Sequence, residues 1–260
     1  ARSGHEAGVV TGMERRTQTR SLGLWMNGAY VGSWSLGANG PDTLHYDPAW
    51  TRSEQGRPLS LSLPFMPGNL PHRGPHVRAW FENLLPDSRD IRERMVRHYR
   101  AGSAGAFDLL SEAGRDCAGA LQILPMGETS PGVAPLTADS LTDTEVAALL
   151  RATTTPQVIG LARDDTDLRI SIAGAQEKTA LLQRDGRWYL PRGATPTTHI
   201  LKLPLGLIGG MKLDMRHSVE NEWLCAQILA AYGLPVASCA PVTFEDLKVL
   251  AVERFDRAWW

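Results

Sequence analysis

The sequence of 260 residues is long for one domain and comfortable for two, with 43% hydrophobic and 21% charged residues. Its formal net charge of −1 excludes a protein whose whole surface is a cationic nucleic-acid site, although a local basic face is compatible with it. Cys117, Cys225 and Cys239 form no C-x-x-C pair, which indicates a reducing compartment. No run approaches the ~20 apolar residues that span a bilayer, so we expect a cytoplasmic protein without a membrane partner.

Composition divides the chain into four parts. Residues 1–20 are polar and aperiodic, which predicts a flexible leader. Residues 21–125 consist mainly of short strand-like runs and turns, whereas residues 126–140 are rich in Pro, Gly, Ser and Thr. We therefore expect a β-rich N-terminal subdomain, a linker at 126–140 and a second domain at 141–260.

Two local patterns predict strands in the N-terminal subdomain. Asn27-Gly28 lies between apolar runs, and this dipeptide supplies the positive φ angles of a hairpin turn. In residues 58–64, leucine and serine alternate between two prolines, which predicts an extended strand with its three leucines on one face.

Helical periodicity follows these strands. Residues 77–85 are predicted to be helical, and a second helix is predicted from Asp87 because Ile91, Met95 and Tyr99 repeat every four residues. Its other side carries Arg89, Arg92, Arg94, Arg97 and Arg100. These arginines form either a basic patch for nucleic acid or an acidic partner, or a solvated face balanced by nearby carboxylates. The second interpretation is favoured because such charge pairs are common on helices.

One histidine pair has a spacing that metal sites use. His72 and His76 are four residues apart, as in a helical metal site. Pro71, Gly74 and Pro75 prevent the helix that would aim both rings at one ion. We therefore expect no metal ligands in this chain.

The second domain begins with a helix signal. Thr142 and Glu145 occupy the two ends of a capping box, and Val146, Leu149 and Leu150 follow as an apolar face. This pattern predicts a short helix immediately after the linker.

A small-residue turn at 171–179 is the best candidate for a phosphate site. Residues 168–172 alternate like a strand, Ala173, Gly174 and Ala175 follow, and apolar character resumes at residue 179. Small side chains let backbone N–H groups approach a phosphate, with Gly174 as the pivot. The sequence therefore predicts a hairpin with a phosphate-binding tip, followed by a second turn at Asp185-Gly186.

A P-loop is the weaker interpretation of this turn. A Walker A motif places glycine immediately before its lysine and a helix after it, whereas Glu177 precedes Lys178 and a β-like run follows. A kinase-type loop instead covers the phosphates from a β-hairpin and uses a lysine from a later strand. The pattern favours the kinase-type loop.

Lys202 is the candidate for that later lysine. It lies between Leu201 and Leu203 in a strand-like run, where a buried lysine needs an anion. In a kinase, the anions are the nucleotide phosphates and a glutamate of the next helix. The alternative is a strand residue on the solvent side of a half-buried sheet, because alternate side chains point outward.

The following elements complete this order. Ser218 is predicted as the N-cap of a helix and Gly233 as its C-terminal stop, and the helix offers Glu220 and Glu222 to Lys202. Its predicted inner stripe is Val219, Trp223, Ala226 and Ala230. Two strands, at 241–244 and 247–255, are predicted around a turn at Glu245-Asp246. From residue 168 onward, strands, one main helix and two further strands follow the order of a protein-kinase N-lobe.

Seven ordered segments extend this pattern along the chain. They are PLSLSLP at 58–64, ENLLPD at 82–87, FDLLSE at 107–112, AGAQEK at 173–178, HILK at 199–202, NE at 221–222 and ERFDR at 253–257. Together they strongly resemble the HipA family of bacterial serine/threonine-kinase toxins, over about residues 22–260. Seven motifs in order are more specific than one glycine-rich loop.

The resemblance implies an α+β fold, with a HipA-type N-terminal subdomain followed by a kinase-like N-lobe made of an antiparallel sheet and one main helix. It implies an ATP- and Mg²⁺-dependent protein kinase inhibited by a helix-turn-helix antitoxin of the HipB type, which binds operator DNA. It also implies phosphorylation of glutamyl-tRNA synthetase, which blocks translation and promotes persistence.

The resemblance also assigns roles to matching positions. The ATP phosphates are covered by Ala173, Gly174, Ala175, Gln176, Glu177 and Lys178 and bound by Lys202, whose partner candidate is Glu222, and the adenine is held by Glu253, Arg254 and Phe255. Ser171 matches the position that the family phosphorylates on itself. A phosphate there adds roughly −1.5 to −2 charges beside the nucleotide phosphates, so we expect it to expel the loop and silence the kinase.

The sequence departs from a complete kinase in one respect. Kinase chemistry needs an aspartate base and an asparagine and aspartate for Mg²⁺, all in the C-lobe. No H-R-D-like or D-F-G-like segment occurs before Trp260. We therefore expect the C-lobe and its catalytic residues to be missing from this chain, which would be inactive alone as a fragment of a longer toxin. The alternative is a naturally truncated, non-catalytic module that binds the antitoxin–operator complex.

Overall fold

The computed structural model describes residues 19–37, 40–130, 136–154, 174, 176–193, 195–208 and 212–257. Within these residues the fold is α+β, with a five-stranded and a six-stranded sheet, both antiparallel throughout, and one small separate hairpin. Most of the predicted leader lies outside the described residues. The predicted strand at 168–172 and the site residues Ser171, Ala173 and Ala175 also lie outside them.

The first sheet gathers strands from the N-terminal half. Its members are β1 (Arg20–Met26), β2 (Ala29–Leu36), β3 (Asp42–Tyr46), β4 (His72–Arg73) and β5 (Leu121–Pro125), in the order β4-β3-β2-β1-β5. The predicted hairpin turn is confirmed, because Asn27 and Gly28 adopt φ angles of 49° and 82° between β1 and β2.

Four helices share a core with this sheet. They are α1 (Pro48–Arg52), α2 (Pro75–Glu82), α3 (Arg89–Tyr99) and α4 (Ala106–Ala113), with 3₁₀ turns at Pro67–Asn69 and Gly114–Asp116. Trp34 of β2 stacks on Phe81 of α2 with ring centroids 3.9 Å apart. The α3 prediction is confirmed, since Ser88 caps the helix and Ile91 and Met95 are buried.

Residues 58–64 do not form a strand, so that prediction is wrong. The chain turns tightly, because Leu63 N donates to Ser60 O at 3.0 Å and the hydroxyls of Ser60 and Ser62 lie 3.0 Å apart. Leu63 is buried in the core, whereas Leu61 is 98% exposed at the tip of the turn. Serine side chains that bond locally favour turns over strands, which the alternation of leucines concealed.

The second sheet gathers strands from the C-terminal half. The remaining strands are β6 (Ala138–Leu141), β7 (Lys178–Arg184), β8 (Arg187–Pro191), β9 (His199–Lys202), β10 (Gly206–Ile208), β11 (Leu213–Met215), β12 (Cys239–Phe244) and β13 (Leu247–Glu253). The sheet order is β12-β13-β9-β7-β8-β6, while β10 and β11 form the separate hairpin, which was not predicted. The turns predicted at Asp185-Gly186 and Glu245-Asp246 are confirmed. Strand β6 overlaps the last residues of the predicted linker, 126–140, and pairs with β8 at the sheet edge.

One face of the second sheet is covered by α5 (Asp143–Thr154). The capping box is confirmed, because Thr142 N donates to Glu145 Oε2 at 2.8 Å and Glu145 N donates to Thr142 Oγ1 at 3.3 Å. The shared apolar core consists of Val146, Ala147, Leu150, Leu181, Trp188, Leu190, Leu201, Leu203, Phe244, Val249 and Ala251. Burial of these apolar side chains is the main contribution that holds helix α5 against the sheet.

The opposite face of β9 and β13 meets α6 (Ser218–Ala231), whose packing differs from the prediction. Val219 is buried, but Trp223 and Ala230 are exposed, so the predicted inner stripe is wrong. Apolar residues lie on every side of this helix, and periodicity therefore selects no single face. His217, not Ser218, occupies the N-cap, and the Ser218 hydroxyl accepts a hydrogen bond from Leu205 N at 3.0 Å.

The end of α6 follows the prediction. Gly233, with a φ angle of 76°, adopts the left-handed conformation that terminates helices, and its N–H donates to Ala230 O at 2.9 Å. In the described part of the chain, no helix combines the length and the apolar character needed to cross a membrane.

Candidate functional site

Lys202 lies on the face of the second sheet that α6 approaches. Its neighbours Leu201 and Leu203 point into the core under α5, so alternation places the Lys202 side chain on the opposite face. There its ammonium contacts the Glu222 carboxylate of α6, and the lysine side chain is 23% exposed. Lys202 is therefore neither enclosed in the apolar core nor free in solvent, and of the two offered glutamates it pairs with Glu222.

Glu220, the other candidate, has a different partner. Its carboxylate accepts a hydrogen bond from Lys248 Nζ at 2.7 Å. This bond is the main cause of the lowered pKa of the Glu220 carboxyl. Two lysine–glutamate pairs thus join α6 to the sheet, one through Lys202 and one through Lys248.

Lys178 lies beside Lys202 on the same face. The two residues are directly opposite each other in the antiparallel pairing of β7 with β9, which brings their side chains close together. Burial lowers the pKa of the Lys178 ammonium, the charge of Lys202 lowers it further, and Glu222 and Asp87 act in the opposite direction. An anion bound beside the Lys178 ammonium would favour its charged form.

Gly174, in the phosphate segment predicted at 173–178, lies beside the Lys178 ammonium. Gly174 has a φ angle of 111°, which strongly favours glycine, and a Cβ built on it would lie 2.7 Å from Lys178 Nζ. A side chain at position 174 would therefore meet the Lys178 ammonium. Ala173 and Ala175, on either side of Gly174, lie outside the described residues.

Gln176 and Glu177 attach this segment to the end of β9. Gln176 Nε2 donates to Leu203 O at 2.6 Å, and Leu203 N donates to Glu177 O at 3.1 Å. The Glu177 carboxylate contacts Arg94 of α3, in the N-terminal half of the chain. The segment is thus held by both halves of the molecule.

The arginine face of α3 is largely paired with carboxylates. Arg89 binds Glu93 one turn along the helix at 2.9 Å, as the charge-pair interpretation requires. Arg92 and Arg94 instead contact Glu82 and Glu177, which are distant in sequence. Sequence patterns identified the arginines but not these two partners.

The predicted adenine segment, Glu253 to Phe255, lies at the end of β13. Two of its amides are already used, because Glu253 N donates to Ser238 O and Arg254 N donates to Thr198 O, each at 2.8 Å. Phe255 is 91% exposed. Its ring is therefore accessible to a ligand, whereas the two amides serve the protein itself.

The Arg254 side chain belongs to a buried cluster that sequence analysis missed. Its guanidinium lies 3.2 Å from Asp116 and 2.8 Å from Asp256, and it donates to Thr197 Oγ1 at 2.8 Å. Asp116 also accepts from Thr197 N at 3.0 Å and pairs with Arg257 at 2.6 Å. This cluster joins the N-terminal half to the end of β13, so the Arg254 side chain is directed toward the N-terminal half.

The rings of His72 and His76 contact each other, with centroids 5.9 Å apart. The ring of His72 is 2.6 Å from Pro64 O, which satisfies one of its nitrogens. Across the described ranges, no three or more His, Cys, Asp or Glu side chains are grouped as metal ligands would be.

Two family models match the chain. The HipA N-terminal domain matches residues 22–124, and the HipA-like C-terminal domain matches residues 170–260. A protein of Sinorhizobium fredii named "Putative kinase Y4mE" is 34% identical to this chain over 240 residues. The match covers 92% of this chain and 54% of that protein. The serine/threonine-protein kinase toxin HipA of Shewanella oneidensis is 26% identical over 242 residues, covering 92% of this chain and 51% of that protein.

A solved structure shares the fold. A chain of the Shewanella oneidensis MR-1 complex of HipA, HipB and operator DNA matches with a TM-score of 0.70 and 25% identity, covering 92% of this chain and 51% of that chain. This chain therefore spans about half the length of the relatives it matches. The two domain models, the curated relatives and the common fold show that the chain belongs to the HipA family.

Proposed function

We propose that this chain binds Mg·ATP on the face formed by Lys178 and Lys202, as the nucleotide-binding part of a HipA-type serine/threonine protein kinase. The contact between Lys202 and Glu222 carries the proposal. In protein kinases a strand lysine is held by a glutamate of the adjacent helix and binds the nucleotide phosphates. The same relation exists here between β9 and α6.

The arrangement of the second sheet supports this assignment. An antiparallel sheet with one helix against the lysine face is the plan of a kinase N-lobe, in which a glycine-containing loop covers the phosphates. Gly174 would belong to this loop, and its closeness to the Lys178 ammonium supports that role. Lys178 and Lys202 would hold the phosphates, while the exposed ring of Phe255 would contact the adenine. Residues Ala173 and Ala175 and the hairpin tip remain part of this proposal.

The residues present fit a nucleotide better than an independent metal ion. Two ammonium groups on one half-exposed face suit a polyphosphate. A metal-ligand cluster is lacking among the described residues, and Mg²⁺ in kinases takes many of its ligands from phosphates and water. In this proposal Mg²⁺ therefore enters with ATP.

Ser171 would act as the regulatory phosphosite. A phosphoserine adds about −1.5 to −2 charges at neutral pH, close to where the nucleotide phosphates would lie. Repulsion between these anions would weaken ATP binding. Equal ATP affinity in Ser171→Asp and Ser171→Ala variants would contradict this role.

The relatives also suggest a biological role for the whole protein. A matching solved structure is a toxin–antitoxin complex with operator DNA. By analogy, the complete protein would be a cytoplasmic toxin that binds a HipB-like helix-turn-helix antitoxin and, through it, operator DNA. Its protein substrate would be glutamyl-tRNA synthetase, whose phosphorylation blocks translation and promotes persistence.

A calorimetric titration of the 260-residue chain with Mg·ATP tests the nucleotide site. The wild-type chain is expected to bind, and Lys202→Met to weaken binding about tenfold or more, because a hydrogen bond to a charged group contributes ~1.5–3 kcal/mol. Lys248→Met is the matched control, since Lys248 forms the other lysine–glutamate pair with α6. It should retain wild-type affinity.

Two results would contradict the proposal. Equal affinities of the wild-type chain and Lys202→Met would remove the role of the lysine. A folded wild-type chain that binds the antitoxin but no Mg·ATP would instead favour a non-catalytic interaction module.

A further inference from the structure

Glu177 carries a negative charge next to the lysines that are proposed to bind phosphates. An unpaired carboxylate in this segment would repel the phosphates of ATP. In the structure, the Glu177 carboxylate is instead turned toward the Arg94 guanidinium. The pair is partly buried, with the side chains 19% (Arg94) and 31% (Glu177) exposed.

Arg94 comes from a well-anchored helix. Ser88 caps α3 by accepting a hydrogen bond from Ile91 N at 3.4 Å, and Ile91 and Met95 are buried in the core of the N-terminal half. Arg92, two residues earlier, donates to Pro86 O at 2.6 Å and contacts Glu82. The turn between α2 and α3 is thus stabilised by the contacts of Arg92 with Pro86 and Glu82.

The same turn contacts the phosphate segment a second time. Pro86 pairs with Gly174 as an isolated parallel β-bridge, and Asp87 N donates to Gly174 O at 3.3 Å. Two contacts, one through backbone at Gly174 and one through charge at Glu177, therefore tie this segment to the N-terminal half. On its other side, Gln176 and Glu177 are bonded to Leu203 of the second domain.

We propose that Arg94 and Glu177 form a positioning pair, through which helix α3 holds residues 176–178 in the geometry that presents Lys178 and Lys202 to the nucleotide. This inference deepens the proposed function and rests on it. It changes the role of Glu177, which acts through Arg94 rather than as a phosphate ligand. Arg94, a residue of the N-terminal subdomain, becomes part of the nucleotide site although it touches no phosphate.

The charge balance predicts an asymmetry between the two single variants. Arg94→Gln removes the anchor and leaves the negative charge of Glu177 unpaired in the phosphate segment. Glu177→Gln removes the same anchor together with the repelling charge. Loss of nucleotide affinity should therefore be larger for Arg94→Gln, about three- to tenfold, than for Glu177→Gln, in keeping with the modest strength of partly exposed ion pairs.

The experiment is a double-mutant cycle on the full 260-residue chain. Mg·ATP affinity is measured for wild type, both single variants and the double variant, and hydrogen exchange of residues 176–178 is measured without nucleotide. Arg89→Gln is the matched control, because Arg89 pairs within α3 with Glu93 and its side chain is 88% exposed. The effect of Arg94→Gln on affinity should fall below about twofold once Glu177 is already glutamine.

The two measurements separate the possible failures. Faster exchange in both single variants, but not in Arg89→Gln, is the expected result, because loss of the pair frees the segment to open locally. If hydrogen exchange of residues 176–178 is unchanged in Arg94→Gln, Arg94 does not anchor the segment, whether or not the variant binds Mg·ATP. An equal loss of affinity from Arg94→Gln in both backgrounds would overturn the pairing with Glu177. Absence of Mg·ATP binding by the wild-type chain would overturn the proposed function and the nucleotide role of the pair, while the exchange result would still decide whether α3 anchors the segment.

Discussion

Two charge clusters at the second sheet are built in opposite ways. Around Asp116 and Arg254 the side chains are buried, and the Asp116 carboxylate and the Arg254 guanidinium each have several partners on the protein. Around Lys178 and Lys202 the groups are partly exposed, and the two lysines are directly opposite each other in the strand pairing. A buried cluster in which each carboxylate meets a guanidinium serves the fold, because burying a charge without an opposite charge is costly. Cations held beside each other at a partly exposed surface are instead suited to an external anion.

Breaking the buried cluster should produce the largest change in stability. Asp116→Ala removes the carboxylate shared by Arg254 and Arg257 and leaves both guanidinium groups short of a partner. We expect the free energy of unfolding to fall by about 3–5 kcal/mol, as for other buried pairs from which one member is removed. Urea unfolding followed by circular dichroism measures it. A loss below about 1 kcal/mol would show that the cluster is not structural.

Acidification should weaken the same cluster to a smaller extent. Burial alone would raise the pKa of the Asp256 carboxyl, but its bond to Arg254 and the charge of Arg257 outweigh burial and lower it. A carboxyl whose pKa is lower in the folded state stabilises the protein above its unfolded pKa, and this contribution disappears as the pH falls through the folded value. Wild type should therefore lose more stability than Asp256→Asn between about pH 6 and about pH 3. Equal losses would contradict the role assigned to Asp256.

The smallest stability effect is expected at the exposed cluster. Lys202→Met should change the free energy of unfolding by less than about 1 kcal/mol, because a partly exposed ion pair contributes little. Lys248→Met should change the free energy of unfolding as little as Lys202→Met does, but, unlike Lys202→Met, it should retain wild-type affinity for Mg·ATP. A destabilisation by Lys202→Met as large as that of Asp116→Ala would show that both clusters are structural.

Local signals in the sequence predicted many of the elements. The turns at Asn27-Gly28 and Asp185-Gly186 and the capping box at Thr142 depend on residues a few positions apart, and all are confirmed. Residues 58–64 show the limit of such signals, because alternation of leucines is compatible with both a strand and a serine-stabilised turn. Only packing decides between them.

Contacts between residues far apart in the chain could not be predicted from sequence patterns. Arg254 was assigned to the adenine segment, yet its side chain binds Asp116, which lies 138 positions earlier. Arg94 was assigned to a solvated face, yet its partner is Glu177, 83 positions later. For Lys202, the α6 sequence offered two glutamates, the family resemblance named Glu222, and the structure pairs the lysine with Glu222. No spacing rule predicts which carboxylate a distant arginine meets.

The most direct test is a crystal structure of the 260-residue chain with Mg²⁺ and a non-hydrolysable ATP analogue. We expect phosphate oxygens within hydrogen-bond distance of Lys202 Nζ and Lys178 Nζ, with Glu222 still in contact with Lys202. We also expect the adenine near Phe255 and the Glu177 carboxylate still paired with Arg94. A nucleotide bound elsewhere, or no ordered nucleotide at saturating concentration, would contradict the claim that this face is an ATP site.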